Sequence, residues 1–494
     1  MEDVALTTRS VPSRILQSNV RAIHLRVMRL GLLLLVLALF SSGCALLEAP
    51  PQPIVPTLEP PPTPDEDSVD FDALTEDTAE IGSVGFTVDP DIAALLNNIS
   101  RQNLFAYVRA LESFGTRHTL SPTEPATFGI GAARQWIYDE LNRIGAERLE
   151  VRIDEFPLTY AGLATTQQNV IATLPGEGNH PGLIVVMAHY DSRNENPDDG
   201  EGQAPGADDN ASGVAVLMEA ARLLSTRTWQ QTIVFAFLAA EEQGTFGSRH
   251  FVQDLLLDGR TIDVAINNDI VGGRPGIPQS LRVFAPGPEN SRPIQLARYL
   301  NVIAEMYSPM FTLEIQQAPD REGRYGDHRE FLSAGIAAVR LTESVEDVGA
   351  QHSAQDTSDR LDYEYLVQVT RLNVAALANM AGTPPAPPPP TVAPMANAGS
   401  YLLTWPKDER AAGYAVMARP LGSYEAEMRY VNAAEAGNVA IAGLNVGQIY
   451  NVSLAALDAR GRIGLFSPET IVGEGTDDGS AIDASSAITE TSSR

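Results

Sequence analysis

Apolar residues recur along this chain in two rhythms, and the alternation between them predicts its architecture. NISRQNLFAYVRALESFG (98–115) and GIGAARQWIYDELNRIG (129–145) repeat every three to four residues, the spacing of a helix with one buried face. RLEVRIDEFP and QQNVIATLPG read as strands, the second closing on a Pro-Gly turn. LIVVMAH, QTIVFAFLAA and IDVAINND are short continuous apolar runs, as strands buried on both faces require. ASGVAVLMEAARLLST and TFGSRHFVQDLLL, which separate them, are helical in period. The strand SLRVFAP, the helix SRPIQLARYLNVIAEMY, the strand IAAVRLTE and the helix DYEYLVQVTRLNVAALANMA follow. Strands alternating with helices of ten or more residues predict an α/β fold, a mostly parallel sheet covered by helices on both faces.

Two proline-rich stretches bound this pattern. APPQPIVPTLEPPPTPDEDSVD predicts an extended tether over 45–90, and TPPAPPPPTVAP a linker over 383–395, leaving the α/β block at 91–382. Beyond the linker, YLLTWPKDERAAGYAVMARP and AGLNVGQIYNVSLAALDARGRIGLFSPE alternate with period two, which predicts a small all-β sandwich over 396–473. This part resembles a fibronectin type III module with a poorly defined first strand. Trp405 and Tyr414 stand where that fold's core aromatics fall, and Tyr450, after Leu444, suits its tyrosine corner. Such a module would position the rest of the chain, contact a surface or polysaccharide, or act as a spacer. The acidic, Ser/Thr-rich tail at 474–494 has the composition of a disordered segment.

Composition narrows the picture further. At 494 residues the chain is too long for one ordinary core. A net charge of −29 and a pI near 4.5 exclude nucleic acid and anionic lipid surfaces as natural partners. The single cysteine, Cys44, rules out an intramolecular disulfide. Its setting is informative: Arg26 and Arg29, then LGLLLLVLALF, then SSGC make an export signal over 1–44. Cys44 after Gly43 resembles a bacterial lipobox, with Ser41 where leucine is commonest, and Met28 would be a more conventional start. The resemblance implies an exported, extracytoplasmic protein whose contact with the membrane is an N-terminal lipid anchor.

The chemistry sits just past the apolar runs. AHYDS offers His189, with Asp191 placed to hydrogen-bond its other ring nitrogen. GADDNASG places Asp209 in a small-residue loop before a helix, where both its oxygens could serve two cations. Alone, the first segment has the plain explanation of a surface pair, and the second of a turn and helix cap. AAEEQGTFGS is sharper, because paired glutamates ending an apolar strand are costly unless compensated. Glu242 is assigned as a ligand and Glu241 as a general base facing the attacking water. INNDIVGG adds Asp269, and QHSAQDTSDRLD adds His352, with Asp356 and Thr357 suited to organising its loop. Arg324, Tyr325, Asp327 and His328, in GRYGDHREF, are candidates for lining a substrate pocket; His24, His180 and His250 receive no role.

Taken in order, HYDS, GADDNASG, EEQGTFGS, NND and HSAQDT resemble the co-catalytic di-zinc aminopeptidase family, which includes leucyl aminopeptidases, glutamate carboxypeptidase and glutaminyl cyclases. The resemblance covers roughly residues 98–381. It implies two zinc ions, one taking Asp209, Glu242 and His352 and the other Asp209, His189 and Asp269. It further implies hydrolysis of N-terminal residues from peptide substrates. Two departures stand out. Gln351 occupies a place where some relatives carry a tyrosine, whose oxyanion role is then either missing here or taken by another residue, such as Tyr325. GRYGDH also replaces the commoner SDH motif. Arg324 keeps open a carboxypeptidase on the same fold, whereas the complete ligand set speaks against a cyclase or a non-enzymatic binding protein.

Overall fold

The computed structural model describes residues 87–124, 127–145, 147–423 and 426–473. The export signal, all but the last residues of the tether and the C-terminal tail lie outside the described residues.

Three helices come first: α1 (Pro90–Asn97), α2 (Arg101–Glu112) and α3 (Ile130–Ile144). Then follow β1 (Glu150–Tyr160), β2 (Leu163–Leu174), β3 (Gly182–His189), α4 (Gly213–Leu224), β4 (Thr232–Leu238), α5 (Phe246–Leu257) and β5 (Thr261–Asn268). The α/β part closes with β6 (Ser280–Phe284), α6 (Arg292–Tyr307), β7 (Thr312–Gln316), α7 (His328–Ser333), β8 (Ala337–Glu343) and α8 (Tyr363–Gly382). Among the described residues, the eight strands form one sheet in the order β1-β2-β4-β3-β5-β8-β6-β7. The central four, β4, β3, β5 and β8, are parallel, while the hairpin β1-β2 and strand β6 join antiparallel at either side.

The predicted burial on both faces is seen most clearly in β3, whose every residue is buried. Ile184, Val186 and Ala188 join the larger core with α2, α3, α4, α6 and α8. Leu183, Val185 and Met187 face the other way, toward Phe251, Val252 and Leu255 of α5 and Phe331 of α7. Three elements were not predicted. Helices α1 and α7 are too short to establish a period, and β7 is a half-buried edge strand of five residues.

The C-terminal part comprises β9 (Thr391–Pro394), β10 (Tyr401–Thr404), β11 (Gly413–Pro420), β12 (Glu427–Asn432), β13 (Asn438–Ile441), β14 (Tyr450–Leu457), β15 (Ile463–Phe466) and β16 (Thr470–Val472). They form two sheets, β13-β10-β9 and β12-β11-β14-β15, with β16 on β14. Strand β9 lies inside the stretch predicted as linker. Its position at the sheet edge accommodates Pro394, which has no ladder donor to lose.

Between the two sheets sits a core of Leu403, Trp405, Tyr414, Val416, Val452 and Leu454. The opposite faces of β11 and β14 are apolar too, and there Ala415, Met417, Ala455 and Leu457 merge with the main α/β core, together with Ile463 and Phe466. Phe466 meets Tyr299 of α6 edge-on at 6.3 Å between ring centres. The Tyr299 hydroxyl donates to the Ile463 carbonyl (2.9 Å), and the Ile463 amide donates to Asn379 of α8 (3.2 Å). Arg419, fully buried, bridges Glu289 and Glu469 at 3.0 Å each. The β part is therefore packed into the α/β part through a continuous interior.

Candidate active site

Parallel strands β4, β3 and β5 are neighbours, so their carboxyl ends open onto one place, where α/β sheets carry their chemistry. His189 is the last residue of β3, Asp269 follows β5 directly, and Glu241 and Glu242 lie just past β4. Asp209 comes from the irregular turn Ala207–Ser212 ahead of α4, in which it and Asn210 leave helical geometry. His352 arrives from the loop between β8 and α8 with φ of 55°. Ala240 (φ 57°), Thr245 (φ 55°) and Ile270 (φ 61°) also hold left-handed backbone beside these residues. L-residues enter that region at a steric cost, and such strain collects at functional sites.

Two three-residue clusters result, His189–Asp209–Asp269 and Asp209–Glu242–His352, each with its ligand atoms within 4.8 Å of one another. His189 Nε2 lies 3.3 Å from Asp209 Oδ1 and 3.5 Å from Asp269 Oδ1. His352 Nε2 lies 3.1 Å from Asp209 Oδ2 and 3.3 Å from Glu242 Oε2. Asp209 thus turns one oxygen to each imidazole. Glu242 Oε1 is buried without a hydrogen-bond partner, a further oxygen left over for a ligand. Two nitrogen–carboxylate sets of this size, sharing one carboxylate, fit a pair of small divalent cations with open positions.

Each histidine loop also braces the opposite carboxylate loop. Asp191, two residues after His189, accepts from the amides of Glu241 (3.2 Å) and Glu242 (3.1 Å). Asp356, four residues after His352, accepts from the amides of Asp208 (2.8 Å) and Asp209 (3.0 Å). The predicted Asp191–His189 contact is looser than expected. His189 Nδ1 is 3.6 Å from the Asp191 carboxylate and nearer, 3.2 Å, to its backbone carbonyl, because the carboxylate is engaged by the two amides. Arg117, fully buried, holds the carbonyls of Tyr190, Pro205 and Gly206 at 2.6 to 2.8 Å. Arg340 lies 3.2 Å from Asp269 and 2.7 Å from Asp320. Nothing local in the sequence marked Arg117 or Arg340, whose partners are distant in the chain.

The electrostatics are those of a cation site. Burial opposes charge on His189, yet Glu241 and the contacts to Asp191, Asp209 and Asp269 raise its pKa well above the usual imidazole value. His352, also against burial, is pushed up to about 9 by Asp209 and Glu242. Burial resists ionisation of Asp209, but the two imidazoles hold its carboxyl well below the usual range. Glu241 differs: burial, only partly offset by His189, raises it well above an ordinary glutamate. A field that favours positive charge at both imidazoles favours cations among them.

The structure brings together His189, Asp209, Glu241, Glu242, Asp269 and His352 around one cleft, and Arg324 and Tyr325 line it as well. Asp327 and His328 are corrections. They are 0% and 1% exposed and do not line the cleft, because the start of α7 packs beneath it and His328 Nε2 faces the Pro319 carbonyl at 2.6 Å. His118 contacts the Pro197 carbonyl (2.8 Å) and Gln243 (3.3 Å), beside Glu242 in sequence. His250 forms a separate group with Asp154 and Asp254, but Arg152 (2.8 Å) and Asn169 (3.0 Å) already occupy Asp154.

Comparison with known proteins accords with this geometry. A family model described as Peptidase family M28 matches residues 169–377. A protein of Pyricularia oryzae bearing the name "Probable zinc metalloprotease" is 35% identical over 381 residues, covering 67% of this chain and 75% of its own length. A similarly named protein of Leptosphaeria maculans is 34% identical over 345 residues, covering 62% and 80%. Among solved structures, LapB from Legionella pneumophila shares the fold with a TM-score of 0.50 at 21% identity, over 59% of this chain and 75% of that one. With its paired clusters at the strand ends, and a relative matched at this identity and coverage, the chain belongs to peptidase family M28.

Proposed function

We propose that this protein is a zinc-dependent exopeptidase that releases N-terminal residues from peptides. The observation that carries the reading is the division of Asp209 between two histidine–carboxylate clusters, one oxygen to each. His189 and Asp269 would hold one ion, Glu242 and His352 the other, and Asp209 both. Bound there, two divalent ions supply Lewis acidity, polarising the scissile carbonyl and acidifying the attacking water. Glu241 lines the same cleft and belongs to neither cluster, so its carboxylate is free to take the proton from that water and deliver it to the leaving amine. Asp191 acts indirectly, by fixing the backbone of Glu241 and Glu242. A substrate's free α-ammonium is attracted to the acidic end of the cleft.

The test is one peptide, blocked at the N-terminus, the C-terminus or neither, with Glu241→Gln alongside. Resistance of the N-blocked form alone, with kcat reduced by about 10²–10⁴ in Glu241→Gln at unchanged metal content, is the expected result. Resistance of the C-blocked form instead would make the enzyme a carboxypeptidase, the reading that Arg324 beside Gln351 favours. Export with a lipid anchor at Cys44 is part of the same proposal, and labelled fatty acid incorporated into wild type but not Cys44→Ala tests it. The β9–β16 sheets are read as fibronectin type III-like. Trp405 on Tyr414, edge-on at 5.4 Å, and the Asn445 amide donating to the Tyr450 hydroxyl (3.2 Å) support this.

A further inference from the structure

We infer that the residue released from this cleft carries an acidic side chain, and that Arg324 and Arg329 read its carboxylate. The inference rests on the exopeptidase reading, in which the pocket beside the metal clusters receives the first residue of the peptide.

The cleft has a volume of about 220 Å³, room for one residue and its neighbour rather than a long segment. Beyond the metal-binding groups and Glu241, its wall is cationic: Arg193, Arg321, Arg324, Arg329 and Arg340 all line it, and Ile270 is the one aliphatic side chain of the lining. A pocket selecting leucine would need apolar walls, since apolar contact area is what discriminates such residues. Three of the guanidiniums are already matched. Arg193 pairs with Glu242 (2.9 Å), Arg321 with Asp320 (3.2 Å) and Glu346, and Arg340 with Asp269 (3.2 Å) and Asp320 (2.7 Å).

Two are not. Arg324, half-buried, reaches the side-chain oxygen of Gln351 at 3.4 Å, and exposed Arg329 lies 4.3 Å over the Tyr325 ring. Among the described residues neither pairs with a carboxylate. The chain has 63 acidic against 34 basic residues, so acids to neutralise them are abundant elsewhere. A pair of divalent ions would offset the charge of Asp209, Glu242 and Asp269, which leaves Glu241 as the acidic end of the cleft and Arg324 and Arg329 without a matching carboxylate. Arginine binds carboxylate through two parallel N–H donors, which gives direction as well as charge. Arg324 adjoins the residue before His352, and the loop that bears it presses on the metal site: a Cβ on Gly326 would stand 3.0 Å from Asp269 Oδ2. Arg324, Arg329 and the cluster residues line the same cleft, so a carboxylate held by the arginines shares it with the reacting bond.

The test uses the zinc-loaded full chain and C-terminally amidated tripeptides that differ only in the first residue: Glu, Gln, Leu or Lys. The expected result is a kcat/KM for Glu about tenfold above its isostere Gln, a charge-assisted contact's worth at a half-exposed site, shrinking as ionic strength rises. Arg324→Gln and Arg329→Gln should each lower the Glu/Gln ratio, with Arg324→Lys restoring part of it. Calorimetric binding of free L-glutamate over L-glutamine should show the same preference without turnover. Equal rates for Glu and Gln, or a preference for Leu or Lys, overturn the inference and leave the exopeptidase reading standing. With the same tripeptides left unamidated as a second set, a carboxylate effect that appears only with a free C-terminus also overturns it, and would mark an α-carboxylate clamp. Failure to cleave any of the four free-amine peptides overturns the reading that N-terminal residues are released, and this one with it.

Discussion

Phe466 offers a direct test of whether the C-terminal sheets are an appendage or part of the enzyme's interior. Its ring is 8% exposed and packs edge-on against Tyr299, within the same apolar cluster as α6 and α8. Removing it as Phe466→Ala should cost about 4 kcal/mol, the middle of the range for buried phenylalanine. If the chain unfolds as one unit of roughly 390 residues, its unfolding entropy is about 0.8 kcal/mol/K and the midpoint falls by about 5 °C. A separate unit of roughly 80 residues, with an entropy of about 0.17 kcal/mol/K, would instead drop by more than about 20 °C in a transition of its own. Scanning calorimetry, run beside residual peptidase activity after heating, separates the two. One transition and one inactivation midpoint, both lowered by a few degrees, is the expected outcome. Two transitions, with only the smaller moving and thermal inactivation unchanged, would refute the shared core.

Three further outcomes follow from the site. Asp209→Ala should lose both metal equivalents by elemental analysis, whereas His189→Ala and His352→Ala should each retain one more strongly than the other; equal loss in all three would contradict the division of the ligands. Asp191→Asn and Asp356→Asn each weaken charge-assisted bonds to two amides, which should lower kcat by about one order of magnitude and the melting point by a few degrees while metal content is kept. Glu343, fully buried at the end of β8, is pushed up to about 8 by burial and then by Glu346. Folding therefore favours its protonated form: that contribution is whole below the unfolded value near 4.5 and is lost as pH rises through about 8. Glu343→Gln should accordingly flatten the decline of Tm between pH 5 and pH 9, and parallel curves would count against it.

The six residues that gather at the cleft were legible because their chemistry restricts the choice. Each segment alone has a plainer explanation, but histidine, aspartate and glutamate recurring directly after successive apolar runs do not, and β3, β4 and β5 were readable from continuous apolar stretches. Which oxygen of Asp209 faces which imidazole is a matter of tertiary geometry, and the family resemblance supplied only the pairing. GDHREF misled for a physical reason: its charged residues suit a pocket wall, yet Asp327 and His328 are buried at the start of a helix whose Phe331 packs with Phe251 of α5. The docking of the β sheets left a trace that could have been used. GYAVMARP and YNVSLAAL break strict alternation, and that pattern signals a strand covered on both faces rather than one facing water.

The two aspartate grips have a consequence for how this enzyme can change over generations. Asp191 ties the His189 strand end to the amides of Glu241 and Glu242, and Asp356 ties the His352 loop to those of Asp208 and Asp209, so two side-chain carboxylates frame the reacting centre. The loop that bears Arg324 takes no part in either grip. If that loop reads the released residue as inferred above, mutations there would exchange one preferred residue for another without loosening the frame. Diet can drift, in other words, while the machinery that does the cutting is inherited intact.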